Sequence, residues 1–362
     1  MGKVGGVMDL DKIISELRYT DYLKQTHELN YELLDKDKLS EFLSKTSIDY
    51  SFFNNKYDVL FTEEQIVTNF IDCGWFDCRD YSRQIESLSY LYNYSDILDS
   101  EINPTLHYDL CGHNENRQNN IRFINYSLVT SPVGGNVTQS FFSENSPKIA
   151  IHLHIYYKDF VKRFFSMLKQ FPFPFDLLVS SPDAEESLNL GCFFSLENLM
   201  NLEFKRCVNR GRNFASLLCD FSEKLFEYDL VCHLHSKKSL YSGREQLAWS
   251  FYNSHFLVAD QVSINKHLNL LMSDKKYGLL SLTPYLKVPF WGSHWLKNAC
   301  SANELKKKLK VDFSTDGFHS YPVGGMLWFK PQALRQLFEF PWRIDDFPEE
   351  TGQTDGMIQH AI

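Results

Sequence analysis

The apolar residues follow two different patterns on the two sides of residue 148. Before it, they recur at roughly helical spacing in short stretches that polar turns interrupt, for example Leu10–Tyr19 and Lys38–Ser44. After it, short apolar runs alternate with amphipathic stretches, which predicts strands that alternate with helices. Residues 129–146 are rich in Gly, Ser, Asn and Pro and show no periodicity. We therefore predict a mainly helical accessory domain over 1–128, a linker over 129–147 and an α/β domain over 148–362.

Within the α/β region, strand–helix alternation of this length predicts a mostly parallel sheet with helices on both faces. Sheets of this kind bind ligands at the carboxyl ends of their strands. The predicted strands are Ile149–Tyr156, Phe175–Ser181, Glu203–Val208, Tyr228–Leu234, Tyr277–Leu282 and a Gly-Gly strand within 321–330. The predicted helices are Asp159–Gln170, Asn213–Phe226, Glu245–Leu257, Ser263–Met272 and one that begins at Pro331.

The helical region contains an ungapped repeat with an offset of 38 residues. Two copies are too few for a stacked solenoid, so the repeat indicates two copies of one small helical unit, over about 50–80 and 88–118. We interpret its glycines, Gly74 and Gly112, as helix C-caps in left-handed backbone rather than as ligand contacts. The arginine five residues after each glycine would satisfy the last helix carbonyls. The best aligned segments are Cys73-Gly-Trp-Phe-Asp-Cys-Arg79 and Cys111-Gly-His-Asn-Glu-Asn-Arg117.

The formal net charge of −9 gives the 362-residue chain no overall attraction to nucleic acid or anionic membrane. Any anion-binding site must therefore be local. No apolar stretch is long enough for a signal-peptide core or a membrane span. Eight widely spread cysteines match neither a zinc ribbon nor a disulfide framework. We expect a globular protein of the reducing cytoplasm, without a nucleic-acid partner.

Two pairs of histidines alternate along two predicted strands, His152 with His154 and His233 with His235. Side chains two residues apart on a strand share a face, so each pair points to one side of the sheet. Such pairs on neighbouring strands could bind a metal, although metal sites commonly mix ligand types. They could equally be buried or cleft-lining histidines that make hydrogen bonds. Of the four, His235 lies nearest a strand end and is the main candidate for a ligand contact.

Basic residues follow two of the predicted strands directly. Asn209-Arg-Gly-Arg-Asn213 leads from the third strand into a helix, and Ser236-Lys-Lys-Ser239 follows the fourth. A diphosphate needs local positive charge and backbone N–H donors, and a loop that enters a helix N-terminus supplies both. These two loops are the best candidate anion site in an acidic chain, with a solvated basic surface as the alternative.

Several other functional classes lack their motifs. No Gly-x-Gly-x-x-Gly follows the first strand, and the sequence has neither a Walker loop nor a Gly-x-Ser-x-Gly elbow. The sequence therefore disfavours dinucleotide oxidoreductases, P-loop NTPases and the common type of esterase.

The last quarter of the chain combines a Gly-Gly strand with an acidic run. Gly324 and Gly325 permit close backbone approach to a ligand, and Trp328 could stack on a sugar ring. The run Asp345-Asp-Phe-Pro-Glu-Glu-Thr-Gly-Gln-Thr-Asp-Gly356 offers a general base for an acceptor hydroxyl. The alternative interpretation is a solvated acidic loop.

Together these segments resemble the rhamnan synthesis protein F family of bacterial glycosyltransferases. The 38-residue repeat is also similar to the His-Tyr…Gly…Glu-x-Arg units that accompany such domains in polysaccharide-assembly proteins, through His107, Tyr108, Gly112, Glu115 and Arg117. The segments that resemble the family are, in order, Ile149-Ala-Ile-His-Leu-His-Ile-Tyr-Tyr157, Phe173-Pro-Phe-Asp-Leu177, Val208-Asn-Arg-Gly-Arg212, Tyr228-Asp-Leu-Val-Cys-His-Leu-His-Ser-Lys-Lys-Ser239, Pro322-Val-Gly-Gly-Met-Leu-Trp-Phe-Lys-Pro331, Phe347-Pro-Glu-Glu350, Gln353-Thr-Asp-Gly-Met357 and His360-Ala-Ile362.

The resemblance implies a GT-A-like, Rossmann-type domain that transfers rhamnose or another hexose, with inversion, from a nucleotide-diphosphate donor. The implied acceptor is a lipid-linked glycan of a surface polysaccharide such as O-antigen or capsule. The implied donor contacts are His152, His154, Asn209, Arg210, Gly211, Arg212, His235, Ser236, Lys237 and Lys238, and the implied acceptor contacts are Gly324, Gly325 and Trp328.

Many GT-A enzymes hold a divalent ion on the diphosphate with an Asp-x-Asp motif. This chain has His233-Leu-His-Ser-Lys-Lys238 at the corresponding place. We therefore expect a metal-independent reaction in which basic residues of the two loops neutralise the leaving diphosphate, with dependence on Mg²⁺ or Mn²⁺ as the alternative. The candidate bases are Asp355 and Glu350, followed by Glu349.

Two other functions compete with sugar transfer. The first is a non-catalytic glycan-binding or polysaccharide-assembly module on the same fold, and the second is a metal-dependent hydrolase that uses the histidine pairs. For the transferase we expect a place in the cytoplasm or at the inner face of the plasma membrane, beside other polysaccharide-assembly enzymes.

Overall fold

The computed structural model describes residues 8–19, 36–119, 146–238, 245–288, 290–350 and 356–362. The chain divides into two compact units, residues 1–132 and 133–362. This division falls within the predicted linker, 129–147, most of which lies outside the described residues, so the linker itself stays a prediction. None of the helices in the described ranges is long and apolar enough to cross a membrane.

The described part of the first unit consists of short helices around an aromatic core. The Phe53 ring stacks on Tyr81 with centroids 4.9 Å apart, and Phe70 meets the edge of Tyr81 at 5.0 Å. All three rings are fully or almost fully buried. The helices are α1 (Leu10–Glu16), α2 (Lys36–Lys45), α3 (Tyr50–Tyr57), α4 (Glu63–Asp72), α5 (Ser87–Asn93), α6 (Ser95–Ser100) and α7 (Pro104–His107), which continues as a π-helix over Tyr108–Gly112.

The glycines of the repeat are required for packing, which corrects the predicted reason for them. Neither Gly74 nor Gly112 adopts a positive φ. A Cβ at Gly74 would lie 2.1 Å from Nδ2 of Asn103, and one at Gly112 would lie 2.2 Å from the hydroxyl of Tyr90. Asn103 cannot move aside easily, because its amide donates to the Phe70 carbonyl and its oxygen caps α7. Only glycine therefore fits these close approaches.

The left-handed positions of the repeat lie four residues after the glycines. Cys78 and Asn116 are equivalent in the two copies, and both have a φ of 56°. The predicted role of the second arginine also differs, because the guanidinium of Arg117 binds Asp96 at 2.8 Å and Glu115 at 2.5 Å rather than helix carbonyls. The repeat is thus built on packed glycines and ion-paired side chains.

The second unit is an α/β structure, as predicted. Its strands are β1 (Ile149–His154), β2 (Phe175–Ser181), β3 (Leu199–Arg206), β4 (Leu230–His235), β5 (Leu279–Leu280) and β6 (Leu327–Phe329). Its α-helices are α8 (Phe160–Leu168), α9 (Arg212–Cys219), α10 (Ser222–Leu225), α11 (Leu247–Val258), α12 (Gln261–Ser273), α13 (Ala299–Leu309) and α14 (Arg335–Phe338). Short 3₁₀ turns cover Glu185–Ser187, Leu190–Ser195, Phe290–Ser293, Leu296–Asn298, Pro331–Leu334, Ile344–Asp346 and Ile358–His360.

The sheet has the strand order β3-β2-β1-β4-β6-β5. The strands β3, β2, β1 and β4 are parallel, whereas β6 runs antiparallel to both β4 and β5. The sheet is therefore mixed, with three of its five strand pairings parallel, in line with the predicted mostly parallel sheet, and with antiparallel pairings at β6 alone among the described strands. The central strands β1 and β4 are buried along their whole length, which explains their nearly continuous apolar sequences.

Helices cover both faces of this sheet. On one face, α9 packs over the even-numbered residues of β1, with Ser216 near His154 and with Ala215, Leu217 and Leu218 in the same core cluster as Ala150. On the other face, α11 accepts a hydrogen bond from Trp328 through its Leu257 carbonyl. The predicted helix over Asn213–Phe226 is broken into α9 and α10, and Phe221 at the break turns its ring into the core.

Candidate functional site

The carboxyl ends of β1 and β4 form the centre of the candidate site. The chain passes from β1 through β2 and β3 on one side and then returns to β4 on the other side of β1. Such a reversal of strand order leaves a crevice in which α/β sheets bind ligands. His154 and His235, the last residues of these strands, are neighbours in the parallel register.

A cavity of about 970 Å³ lies against these strand ends. It brings together most of the residues that the sequence analysis selected. The predicted contacts that line it are His154, Asn209, Arg212, His235, Ser236, Lys237, Lys238, Gly324, Gly325 and Glu350. His152, Arg210, Gly211, Trp328 and Glu349 are not among the residues that line it.

The four histidines lie side by side in one buried row. His152 Nδ1 is 2.8 Å from His233 Nδ1, and the planes of the two rings are 13° apart with centroids separated by 5.0 Å. His154 Nδ1 is 2.9 Å from the hydroxyl of Ser180, and His235 Nε2 donates to the Gly324 carbonyl at 2.7 Å. His152 is fully enclosed, so its predicted contact with a donor is replaced by a contact with its neighbouring histidine.

Burial keeps these histidines neutral. It lowers the pKa of His154 to about 3 and the pKa of His235 to about 4, and the charges of Lys237 and Arg212 lower the pKa of His235 in the same direction. The pKa values of His152 and His233 also lie well below the ordinary range because both rings are buried. Within the described ranges, no group of three or more His, Cys, Asp or Glu side chains is arranged to hold a metal ion. The histidine row therefore fits the hydrogen-bonding interpretation.

The basic loop after β3 contacts the acidic run near the C-terminus. Arg210 pairs with Asp345 at 2.9 Å and with Glu349 at 3.6 Å, and it also forms an isolated backbone bridge with Glu349. Arg212 lies 3.7 Å from Glu350, whose carboxylate also accepts the Arg212 backbone N–H at 3.2 Å. Two sequence features that are far apart in the chain thus meet at one edge of the cavity.

A left-handed turn positions this loop. Gly211 and Arg212 have φ values of 62° and 53°. A Cβ at Gly211 would lie 2.5 Å from the Phe347 ring and 2.6 Å from the Ala215 Cβ, so glycine is required here. Gly211 therefore permits the tight turn but does not line the cavity, whereas Arg212, at the start of α9, does line it.

The loop after β4 contains two lysines in different environments. Lys238 pairs with Asp159 at 2.8 Å and with Glu245 at 3.7 Å. Lys237 is partly buried and lies 4.6 Å above the Trp249 ring. No carboxylate of the described residues lies within ion-pair distance of Lys237. Burial, together with the nearby charge of Arg212, lowers the pKa of Lys237 to about 8.

The Gly-Gly turn lines the cavity beside the carboxyl end of β4. Gly324 and Gly325 have φ values of 95° and 71°, a conformation that side chains rarely adopt. A Cβ at Gly324 would lie 2.6 Å from Asn253 Nδ2. The hydrogen bond from His235 to the Gly324 carbonyl fixes the turn against β4.

Trp328 does not line the cavity, which corrects its predicted role in sugar stacking. It is fully buried, stacks on Phe171 at 6.0 Å and donates its indole N–H to the Leu257 carbonyl. Its register partner on β4 is Cys232, so alternation along the strands directs it away from the face of His233 and His235. A sugar has no access to this ring.

The three candidate carboxylates differ in position. Glu350 lines the cavity and is mostly buried, with 18% of its side chain exposed, whereas the Glu349 side chain is 83% exposed and faces Arg210. Asp355 lies outside the described residues. Among the described candidates, Glu350 is therefore the carboxylate next to the cavity.

Several residues of the cavity were not predicted from the sequence. Asn213 lines the cavity at the start of α9, although the sequence showed it only as the residue after Arg212. The cavity wall also contains a stack of aromatic rings, in which Trp295 lies 4.2 Å from His319 and His319 lies 5.3 Å from Tyr321. These rings come from two loops without periodicity, so no sequence pattern brought them together. The hydroxyl of Ser236 accepts the backbone N–H groups of Tyr156 and Tyr157 and holds the end of β1.

Comparison with known proteins gives a consistent family assignment. Residues 94–362 match the family described as Rhamnan synthesis protein F. The chain is also similar to the uncharacterized protein WxcX of two strains of Xanthomonas campestris pv. campestris, with 25% identity over 220 residues in each case. The matched region is 60% of this chain and 30% of each relative, so the chain spans less than a third of those proteins. No solved structure matches the chain.

Proposed function

The chain belongs to the rhamnan synthesis protein F family, and from this premise we propose that residues 148–362 form a glycosyltransferase domain. The domain moves a sugar, rhamnose or another hexose, from a nucleotide-diphosphate donor to a growing bacterial surface polysaccharide. The strand order β3-β2-β1-β4, with its crevice beside β1, supports a Rossmann-type donor site of the GT-A kind.

The environment of Lys237 is the main support for this proposal. Lys237 is a cation at the cavity wall, beside Arg212, and it has no carboxylate partner among the described residues. A partly buried ammonium group gains much from an anionic ligand, because solvent no longer screens the attraction. A diphosphate supplies that charge and several acceptor oxygens.

In the proposed reaction, the acceptor hydroxyl loses its proton to a carboxylate while its oxygen attacks the anomeric carbon. The electron pair of the bond between that carbon and the phosphate oxygen leaves with the nucleoside diphosphate. Lys237 and Arg212 stabilise the negative charge that develops on this leaving group. Attack from the face opposite the leaving group inverts the anomeric configuration.

Glu350 and Asp355 are the proposed bases. Glu350 borders the cavity, where Arg212 orients its carboxylate. One Glu350 oxygen accepts the Arg212 backbone N–H, and the carboxylate keeps further acceptor sites for the proton of the acceptor hydroxyl.

The acceptor, the place of reaction and the absence of a metal requirement are also proposed from the family membership. We propose a lipid-linked glycan of an O-antigen or capsule as the acceptor and the inner face of the plasma membrane as the place of reaction. We also propose that the reaction is metal-independent, with cations of the two basic loops acting in place of a metal. Activity with the true donor that is lost in chelator and restored by Mg²⁺ or Mn²⁺ would contradict this last point.

A panel of nucleotide-diphosphate sugars tests the proposal. A donor that binds the native state raises the melting temperature, and the donor so identified is then offered with glycan acceptors in a transfer assay. We expect Lys237→Ala to lose donor binding, and we expect Glu350→Gln or Asp355→Asn to keep donor binding but lose transfer. Donor binding without hydrolysis or transfer across the panel would favour the non-catalytic assembly module.

A further inference from the structure

A continuous chain of hydrogen bonds connects Asn213, at the cavity wall, with His154, also at the cavity wall, through the interior of the sheet. We call it the relay, and its members are Asn213, His233, His152, Ser180, Ser216 and His154. All six side chains are at least nine-tenths buried. The steps from Asn213 to His233, to His152 and to Ser180 measure 2.8, 2.8 and 3.1 Å.

The proton order along the first half of the relay is determined at Asn213. Its amide nitrogen faces His233 Nε2, and an amide nitrogen only donates, so His233 Nε2 is the acceptor. A neutral histidine carries one ring proton, which in His233 must then be on Nδ1 and point at His152 Nδ1. His152 accepts there, so its own proton is on Nε2 and is donated to Ser180.

The second half of the relay ends at His154. Ser180 accepts from His152 and passes its own hydroxyl proton either to His154 Nδ1 at 2.9 Å or to the Ser216 hydroxyl at 2.8 Å. Ser216 lies 3.3 Å from the same His154 nitrogen and 3.4 Å from the Asn213 carbonyl, to which its hydroxyl can also donate. Because the contact with Ser180 is the shortest that His154 Nδ1 makes, we assign Nδ1 as the acceptor of the Ser180 hydroxyl proton. The proton of His154 is then on Nε2, which has no hydrogen-bond partner among the described residues.

We propose that the relay makes His154 a neutral N–H donor to an anionic oxygen in the cavity, and that Asn213 is the positioning residue that selects this tautomer. The tautomer assignment stands by itself, whereas the identity of the ligand, a diphosphate oxygen, rests on the proposed function. A neutral donor complements the neighbouring cations, because it gives direction to the contact without adding further charge to a crowded basic site.

Nitrogen NMR of the full chain labelled with ¹⁵N-histidine tests the tautomers directly. We expect His154 and His152 to be protonated on Nε2 and His233 on Nδ1, with His154→Gln used to assign the His154 signals. The variant Asn213→Asp replaces the donor by an isosteric acceptor, which requires a proton on His233 Nε2 and reverses the order. At about pH 8.5, where neutral rings are favoured, His152 should therefore lose its Nε2 proton. Unchanged His152 signals in this variant, or a wild-type His154 protonated on Nδ1, would overturn the relay.

The contact with an anion is tested separately with inorganic pyrophosphate. The matched variants are His154→Gln, whose side-chain amide keeps an N–H donor near the position of Nε2, and His154→Leu, which has none. We expect His154→Leu to weaken pyrophosphate binding about tenfold in calorimetry, and His154→Gln to stay within about threefold of the unmodified chain.

The pyrophosphate experiment distinguishes the anion contact of His154 from the diphosphate site itself. Equal pyrophosphate affinity in both variants would overturn the anion contact of His154 while leaving the diphosphate site in place. A lack of pyrophosphate binding by the unmodified chain would overturn the diphosphate site and the anion contact together. Neither result would alter the tautomers that NMR measures.

Discussion

The two basic loops of the candidate site carry the same number of cations, but those cations have different surroundings. Each follows a parallel strand and contains two cations, Arg210 and Arg212 after β3 and Lys237 and Lys238 after β4. In the first loop both arginines pair with carboxylates of the acidic run. In the second, Lys238 pairs with Asp159 and Glu245, whereas Lys237 has an aromatic ring and another cation as its neighbours.

This difference shows that charge alone does not define an anion site. A cation that already has carboxylate partners gains less from an additional anionic ligand. A partly buried cation without such partners keeps an unfavourable charge that a ligand can compensate. The first loop therefore contributes shape, the start of a helix and the charge of Arg212, and the second contributes a charge, that of Lys237, without a carboxylate partner among the described residues.

The largest expected effect concerns the shape of the first loop. In Gly211→Ala the new Cβ would meet Phe347 and Ala215 at about 2.5 Å in a left-handed backbone. We expect a loss of about 3 kcal/mol of unfolding free energy, measured by urea denaturation.

Gly317→Ala is the control for this variant, because Gly317 has a similar φ of 77° and nothing within 4 Å of the added Cβ. It should lower the unfolding free energy by about 1 kcal/mol, which measures the cost of a side chain in left-handed backbone without a steric contact. Equal losses in the two variants would show that the contact with Phe347 does not restrict the loop.

The next effect separates the two lysines. We expect Lys237→Ala to weaken pyrophosphate binding about fiftyfold, since hydrogen bonds to charged groups contribute about 1.5–3 kcal/mol. Lys238→Ala removes a cation that already has two carboxylate partners, and it should change the affinity less than about threefold. Calorimetry of both variants measures the contrast, and a larger loss for Lys238→Ala would reverse our assignment of the two roles.

The pH dependence of binding sharpens the same contrast. The pKa of Lys237 is lowered to about 8, so the lysine loses its charge, and with it part of the affinity for anions, as the pH rises through that value. Between pH 7 and about pH 9, affinity should fall about tenfold in the unmodified chain through this group. Lys237→Arg keeps its charge across this range, so the ratio of the two affinities isolates the lysine from the titration of pyrophosphate itself. A constant ratio would contradict the role of Lys237.

The smallest effect concerns Arg210. Its partners Asp345 and Glu349 are 75% and 83% exposed, and exposed ion pairs contribute about 0–1 kcal/mol. Arg210→Ala should therefore lower the unfolding free energy by less than about 1 kcal/mol and leave pyrophosphate affinity unchanged. In contrast, Arg212→Ala should weaken that affinity about tenfold, because Arg212 lines the cavity near Lys237 and its side-chain contact with Glu350 is long, at 3.7 Å. Similar affinities for the two variants would remove the distinction between the arginines.

Much of the second unit could be predicted from the sequence. The apolar runs located β1, β2 and β4 closely, and the histidines at 235 and 154 were correctly placed on strands, near their carboxyl ends. Trp328 shows the limit of this approach. Its strand has three residues, and its pairing with Cys232, rather than its own sequence, decides the face to which it points.

Two parts of the candidate site depend on chain segments that are distant in sequence. The contact of Arg212 with Glu350 joins residues 138 apart, and the aromatic wall joins the loops around Trp295 and His319. The pairing of such segments is set by the packing of the whole sheet and its helices. Local periodicity therefore carries no information about it.

By itself, the sequence determined the α/β class, the strand ends that carry histidines and cations, and the family resemblance, because these follow from local alternation and short motifs. The tertiary structure decided which of four cations has no carboxylate partner within the described part of the chain and which of four histidines reach the cavity. It also replaced left-handed caps by close packing at Gly74 and Gly112. Partners and burial are properties of distant residues brought together by folding, and they set the electrostatic energy of each charged group.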